Sequence, residues 1–101
     1  MNTVTEMSIL FFWIPAQFGG HSGAPYEPMR TSVAWQQNPE RSAATLHDVE
    51  WHSIYLDDEN HGTAKIRFNA SAVIEPSWTV KGEILEFRNG YRLLAVGCIQ
   101  E

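Results

Sequence analysis

The residues best suited to chemistry lie between His47 and Gly62. His47, Glu50, His52 and His61 are interleaved there with Asp48, Asp57 and Asp58. Imidazole and carboxylate together form a zinc ligand set, and a small metal-dependent hydrolase built on His47, His52 and His61 is the reading they invite. The spacing argues against it. His47 and His52 have opposite parity on a regular strand, so only a bulge could bring them to one face. The favoured reading is a set of polar surface histidines. Asp57-Asp58-Glu59-Asn60-His61-Gly62 is acidic enough to suggest calcium, but it lacks the twelve-residue ligand pattern and its closing Glu. It reads as a hairpin turn. Ser, His and Asp all occur, yet nothing marks a nucleophile elbow, and Cys98 has no adjacent base. The expectation is a protein that is not an enzyme, with no metal site and no cofactor.

Two further groups could hold anions. The loop Gly19-Gly20-His21-Ser22-Gly23 has the backbone freedom to aim N–H groups at a phosphate. It lacks the Lys of a P-loop and precedes no clear helix, so no nucleotide is expected. Arg88 and Arg92 flank a turn, and Arg30, Arg67 and Lys65 could lie near them as phosphate contacts. The competing reading is a solvated exterior whose cations pair across strands with Glu83 and Glu86.

The elements that position these groups are strands. Lys81 to Arg88 and Tyr91 to Ile99 should form a hairpin about Asn89-Gly90, a pair suited to a type I′ turn. Leu85 and Phe87 point inward; Ile84, Glu86 and Arg88 point outward. Met7 to Ile14 is apolar on both faces, and Pro15 ends it. Ala16 to Pro28 is a loop, and Arg30 to Gln37 the next strand. After a polar stretch, Asn38 to Thr45, comes a strand from Leu46 to Leu56. Val49 and Trp51 share one parity there and Ile54 and Leu56 the other, which predicts a bulge near His52. Thr63 to Ile74 alternates cleanly, with Ala64, Ile66, Phe68, Ala70, Ala72 and Ile74 on one side. The last strand sets Tyr91, Leu93 and Ala95 against Leu94, Val96 and Cys98. Residues 1–6 read as an N-terminal lead-in and 7–101 as a single β-barrel domain. The fold class is all-β: a six-stranded closed barrel of Greek-key type.

The 101 residues suffice for one core, and 44% hydrophobic content with four Trp argues for a folded domain. A net charge of -5 disfavours broad nucleic-acid binding. The one cysteine excludes an intrachain disulfide. The apolar run Ile9 to Ile14 is too short to span a membrane, so a cytoplasmic protein with no membrane partner is expected.

The chain resembles the C-terminal β-barrel, the third domain, of translation elongation factor Tu. Ile74-Glu75-Pro76, Gly82, Arg88-Asn89-Gly90-Tyr91-Arg92 and Gly97 fall in that family's order. So do Gly19-Gly20, Pro25 and Tyr26-Glu27-Pro28 after the first strand. His21 stands where the family usually carries a basic residue, and Glu27 where it usually carries Arg. No GTPase domain and no Gly-Lys phosphate motif occur in the sequence. In the family this barrel helps hold aminoacyl-tRNA, packs on the GTPase domain and meets the exchange factor. The resemblance therefore implies a stand-alone, translation-related protein-binding module whose partner is another protein or a second copy of itself. Trp13, Trp78, Tyr91 and Leu94 are the candidate interface residues. The alternative is RNA (tRNA) binding through Arg30, Arg88 and Arg92.

Overall fold

Alternation of apolar and polar residues is converted into a closed wall with one filled interior. The computed structural model describes residues 6–38, 40, 48–68 and 74–100. Six strands are seen: β1 (Glu6–Trp13), β2 (Arg30–Trp35), β3 (Asp48–Leu56), β4 (His61–Phe68), β5 (Ile84–Asn89) and β6 (Arg92–Ile99). They close in the order β1-β4-β3-β2-β5-β6, and every neighbouring pair is antiparallel. The order β1-β4-β3-β2 is a Greek key counted from its far end. Among the described residues, closure pairs every strand on both sides, which limits the free sheet edge.

The interior is organised by Trp51. Its ring meets Phe87 at 4.8 Å, Phe11 at 5.0 Å and Trp13 at 6.3 Å between centroids, each edge-on. Edge-to-face packing is the arrangement that ring quadrupoles favour. A buried indole N–H needs an acceptor, and Thr31 Oγ1 receives the one from Trp51 at 3.0 Å. Thr31 is the buried polar residue of the described core. Around this hub, size alternates: Phe11 is flanked in register by Gly62 on β4 and Gly97 on β6. A Cβ at Gly97 would come within 3.0 Å of the Phe87 ring. Large rings on one strand thus require glycine on the next.

Three departures from strict alternation shape the wall. The first is the expected bulge in β3. Register slips between His52 and Tyr55, and Ser53 sits at φ 53°. The Glu27 carboxylate accepts the N–H groups of Ser53 (2.9 Å) and Ile54 (3.1 Å), tying the 16–28 loop to the bulge. The second lies in β6, where register slips so that Leu94 is the extra residue beside Ala95. Leu94 and Ala95 are consequently both buried, which corrects the expectation that they face opposite ways. The third is the β5–β6 turn. Asn89 pairs with Arg92, so the loop residues are Gly90 and Tyr91 rather than Asn89 and Gly90. Gly90 is at φ 64° and neither Asn89 nor Tyr91 has positive φ. Positive φ at the first loop position alone fits a II′ turn, not the expected I′.

Other boundaries also move. β2 ends at Trp35 rather than Gln37, and β5 starts at Ile84, because Gly82 at φ 97° turns the chain just before it. β4 begins earlier than expected, at His61. Ala70 and Ala72 fall outside the described residues.

Candidate functional site

The outward positions sort into two panels. Across β1, β4, β3 and β2 runs a row of charges in register: Glu6, Arg67, Glu50, Arg30. Signs alternate along it, and the end pairs close at 2.9 Å (Arg67–Glu6) and 2.7 Å (Arg30–Glu50). Glu50 also meets His52 Nε2 at 3.0 Å. That hydrogen bond, then the one from Arg30, holds the Glu50 carboxyl below its usual range. The hydrogen bond from Arg67 does the same for Glu6, and the backbone donors of Ser53 and Ile54 for Glu27. Each carboxylate is stabilised in its charged form.

The second panel spans β4, β1, β6 and β5. One register row reads Thr63, Leu10, Cys98, Ile84; the next reads His61, Phe12, Val96, Glu86. Leu10 is 48% exposed and Phe12 37% exposed. Val96, Cys98 and Ile84 are half-buried. The His61 ring lies 5.3 Å from that of Phe12, and Arg88 reaches Glu86 at 2.7 Å. An apolar strip thus crosses the middle of the panel, with an imidazole on one border and a carboxylate on the other.

The interface candidates read from sequence divide. Trp13 (4% exposed) and Leu94 (2%) belong to the core and present no surface. Trp13 points inward by alternation, and its indole donates to Gly23 O at 3.0 Å. Leu94 is drawn inward by the β6 bulge. Trp78 is half-buried over the barrel end: its ring lies 5.5 Å from that of Trp35, and its carbonyl accepts the Trp35 indole N–H at 2.8 Å. Tyr91 stands fully in solvent at the hairpin tip. Sequence reasoning missed Leu10 and Phe12. Their alternation with Ile9, Phe11 and Trp13 was the available signal.

The arginines do converge. Arg30, Arg88 and Asp48 line one shallow depression of about 260 Å³, and Asn89 joins it to a groove of about 520 Å³ lined by Gly19, His21, Tyr91 and Arg92. Arg30 and Arg88 are already paired with Glu50 and Glu86. The glycine loop makes no open anion cradle at Gly23, whose N–H donates to His21 Nδ1 at 3.0 Å. In the acidic turn, Asp57 Oδ1 accepts the N–H groups of Glu59 and His61 at 2.8 and 3.0 Å. It is a turn-capping carboxylate.

His47 lies outside the described residues. His52 is opposite Lys65 on β4, four residues from His61, so their positions on the strands are roughly 13 Å apart along the wall. Among the described residues no three His, Cys, Asp or Glu side chains are grouped to hold a metal ion. No helix among them is long and apolar enough to cross a membrane. No protein-family model matches the chain, and neither does any curated protein.

Proposed function

We propose that this barrel is a non-enzymatic protein-binding module that docks through the outer panel of β1, β6 and β5. The observation that carries the reading is the continuous apolar strip of Leu10, Phe12, Val96, Cys98 and Ile84 on three adjacent strands. Two-sided apolar strands are found where a second surface covers the wall, and such a patch, bordered by polar groups, marks an interaction site. Kinship with the third domain of elongation factor Tu belongs to the same proposal. It is supported by the six-stranded closed barrel, the tight turn at Gly90 and the close-packed Gly97. A translation-related setting follows from that kinship and from nothing else.

The test is affinity capture from the native host with wild-type protein and Leu10→Glu in parallel. Leu10 points outward, so the variant keeps the barrel, as near-UV circular dichroism should confirm. Partner loss with the variant supports the panel as the binding surface. Equal recovery by both, or recovery of nothing by a strictly monomeric wild type, ends the reading.

The second reading is RNA binding through Arg30, Arg88 and Arg92. Their convergence about Asn89, with Tyr91 exposed beside them as a stacking ring, favours it. The paired state of Arg30 and Arg88 and the net charge of -5 weigh against it. A gel shift with tRNA across a salt series decides: absence of binding at low salt eliminates this reading.

A further inference from the structure

We infer that the occupant of the outer panel is a second copy of this chain, bound about a two-fold axis that runs along the strands. The inference rests on the protein-binding reading and names the partner.

The argument comes from the order of chemistry across the panel. In one register row His61, Phe12, Val96 and Glu86 succeed one another on β4, β1, β6 and β5. A symmetric dimer must be self-complementary, because one patch serves both sides. An axis along the strands reverses the row from one copy to the other. His61 then lies over Glu86 of the second copy, and Phe12 over its Val96. In the next row Leu10 lies over its Cys98. Both polar borders find a partner, and the apolar centre meets apolar groups. The other face-to-face two-fold, across the strands, exchanges the two rows instead. It sets Glu86 over Ile84 and desolvates the carboxylate against a hydrocarbon, a costly arrangement. Of these two axes, the first pairs His61 with Glu86 and keeps the apolar centre together, with Thr63 over Ile84 at its rim.

The borders set orientation as well as attraction. His61 is exposed and already lies against Phe12. Glu86 is held by Arg88 at one oxygen, and a carboxylate can accept further donors at the other. Charge placed at the rim of an apolar strip selects register and rejects other dockings. Four strands span roughly 19 Å, and a convex wall of that width buries less than the ~800 Å² per partner of a standard stable interface. An interface of that size belongs with transient, weakly bound complexes.

The test is sedimentation equilibrium of the whole chain from about 10 µM to about 1 mM, a range suited to weak association. Wild type should pass from monomer to dimer, and Leu10→Glu should remain monomeric. His61→Glu and Glu86→Lys should each weaken association at least about tenfold, the cost of one like-charge or mismatched rim contact. The double variant H61E/E86K places opposite charges together again and should recover most of that loss. Recovery by the double variant is the readout a general loss of stability could not give. A wild type that stays monomeric to 1 mM overturns the inference, as does association that Leu10→Glu leaves intact or a double variant no better than the worse single one. A monomeric wild type that still captures a host protein in a Leu10-dependent way would sink the dimer alone and leave the protein-binding reading standing.

Discussion

The two outer panels share two strands, β1 and β4. Along β1, Glu6 and Ser8 belong to the charged side and Leu10 and Phe12 to the apolar side, while Met7, Ile9, Phe11 and Trp13 between them enter one core. Inside, the wall makes the same demand everywhere: fill the space and satisfy the indoles. Outside, neighbouring strands answer different needs. The Glu6–Arg67–Glu50–Arg30 row is complete within the chain, since each charge has an opposite neighbour in register. In the His61–Phe12–Val96–Glu86 row, Glu86 is held by Arg88 of its own strand, His61 lies against Phe12, and the apolar middle is left partly exposed. A surface of paired charges suits water, and a surface with exposed apolar side chains at its centre suits a partner.

The sharpest way to break this contrast is to compare adjacent residues of β1. Phe11→Ala should cost about 3–5 kcal/mol, because it empties the space between Gly62 and Gly97 beside Trp51. Phe12→Ala should cost under about 1 kcal/mol in the monomer. Urea unfolding at low protein concentration measures both, and equal losses would mean that the outer ring is structural. Gly62→Ala comes next. Its Cβ would run into the Tyr55 carbonyl and the Phe11 ring, and overpacking of this kind costs about 1–3 kcal/mol. A normal melting temperature for this variant would show that the glycine–aromatic–glycine row is not tight.

A smaller effect should appear at the carboxylates. Glu27, Glu50 and Glu6 all have pKa values lowered in the folded chain, by backbone donors, by His52 with Arg30, and by Arg67 respectively. A lowered folded value contributes stability that is present above the unfolded value, near ~4.3, and is lost as pH falls through the folded one. Glu27→Gln should therefore lower stability at neutral pH and flatten its decline in acid, seen as a smaller difference in melting temperature between pH 7 and pH 3.5. An unchanged acid profile would mean that the bulge holds Ser53 without the carboxylate. Smallest of all, Arg67→Ala should shift the melting temperature slightly at low salt and not at high salt, as exposed pairs are screened. A large, salt-independent loss would show that the charged panel is structural after all.

Much of the barrel was legible in the residues. Val33, Trp35, Ala64, Ile66, Phe68, Leu85 and Phe87 face inward as their alternation required, because period-two patterning is local and directly sets facing. The β3 bulge was readable from the parity switch between Trp51 and Ile54. The β6 bulge was not: Leu93, Leu94, Ala95 and Val96 are all apolar, so parity there carries no information. Leu94 was misplaced as a surface residue for the same reason, and Trp13 was misplaced although it shares parity with Ile9 and Phe11 on β1. The Glu27 contact with the bulge joins residues far apart in sequence, and no local pattern announces it.

By itself the sequence determined the strand content, the inward faces where alternation is clean, and the places of the turns to within a residue or two, since these depend on neighbours close in the chain. Tertiary structure alone decided which outward residues lie side by side. Register across β4, β1, β6 and β5 gathers Leu10, Phe12, Val96 and Ile84 into one strip, and register across β1, β4, β3 and β2 alternates the charges. Barrel closure sets that register through the fit of large rings against glycine in a shared interior, and the fit involves every strand at once.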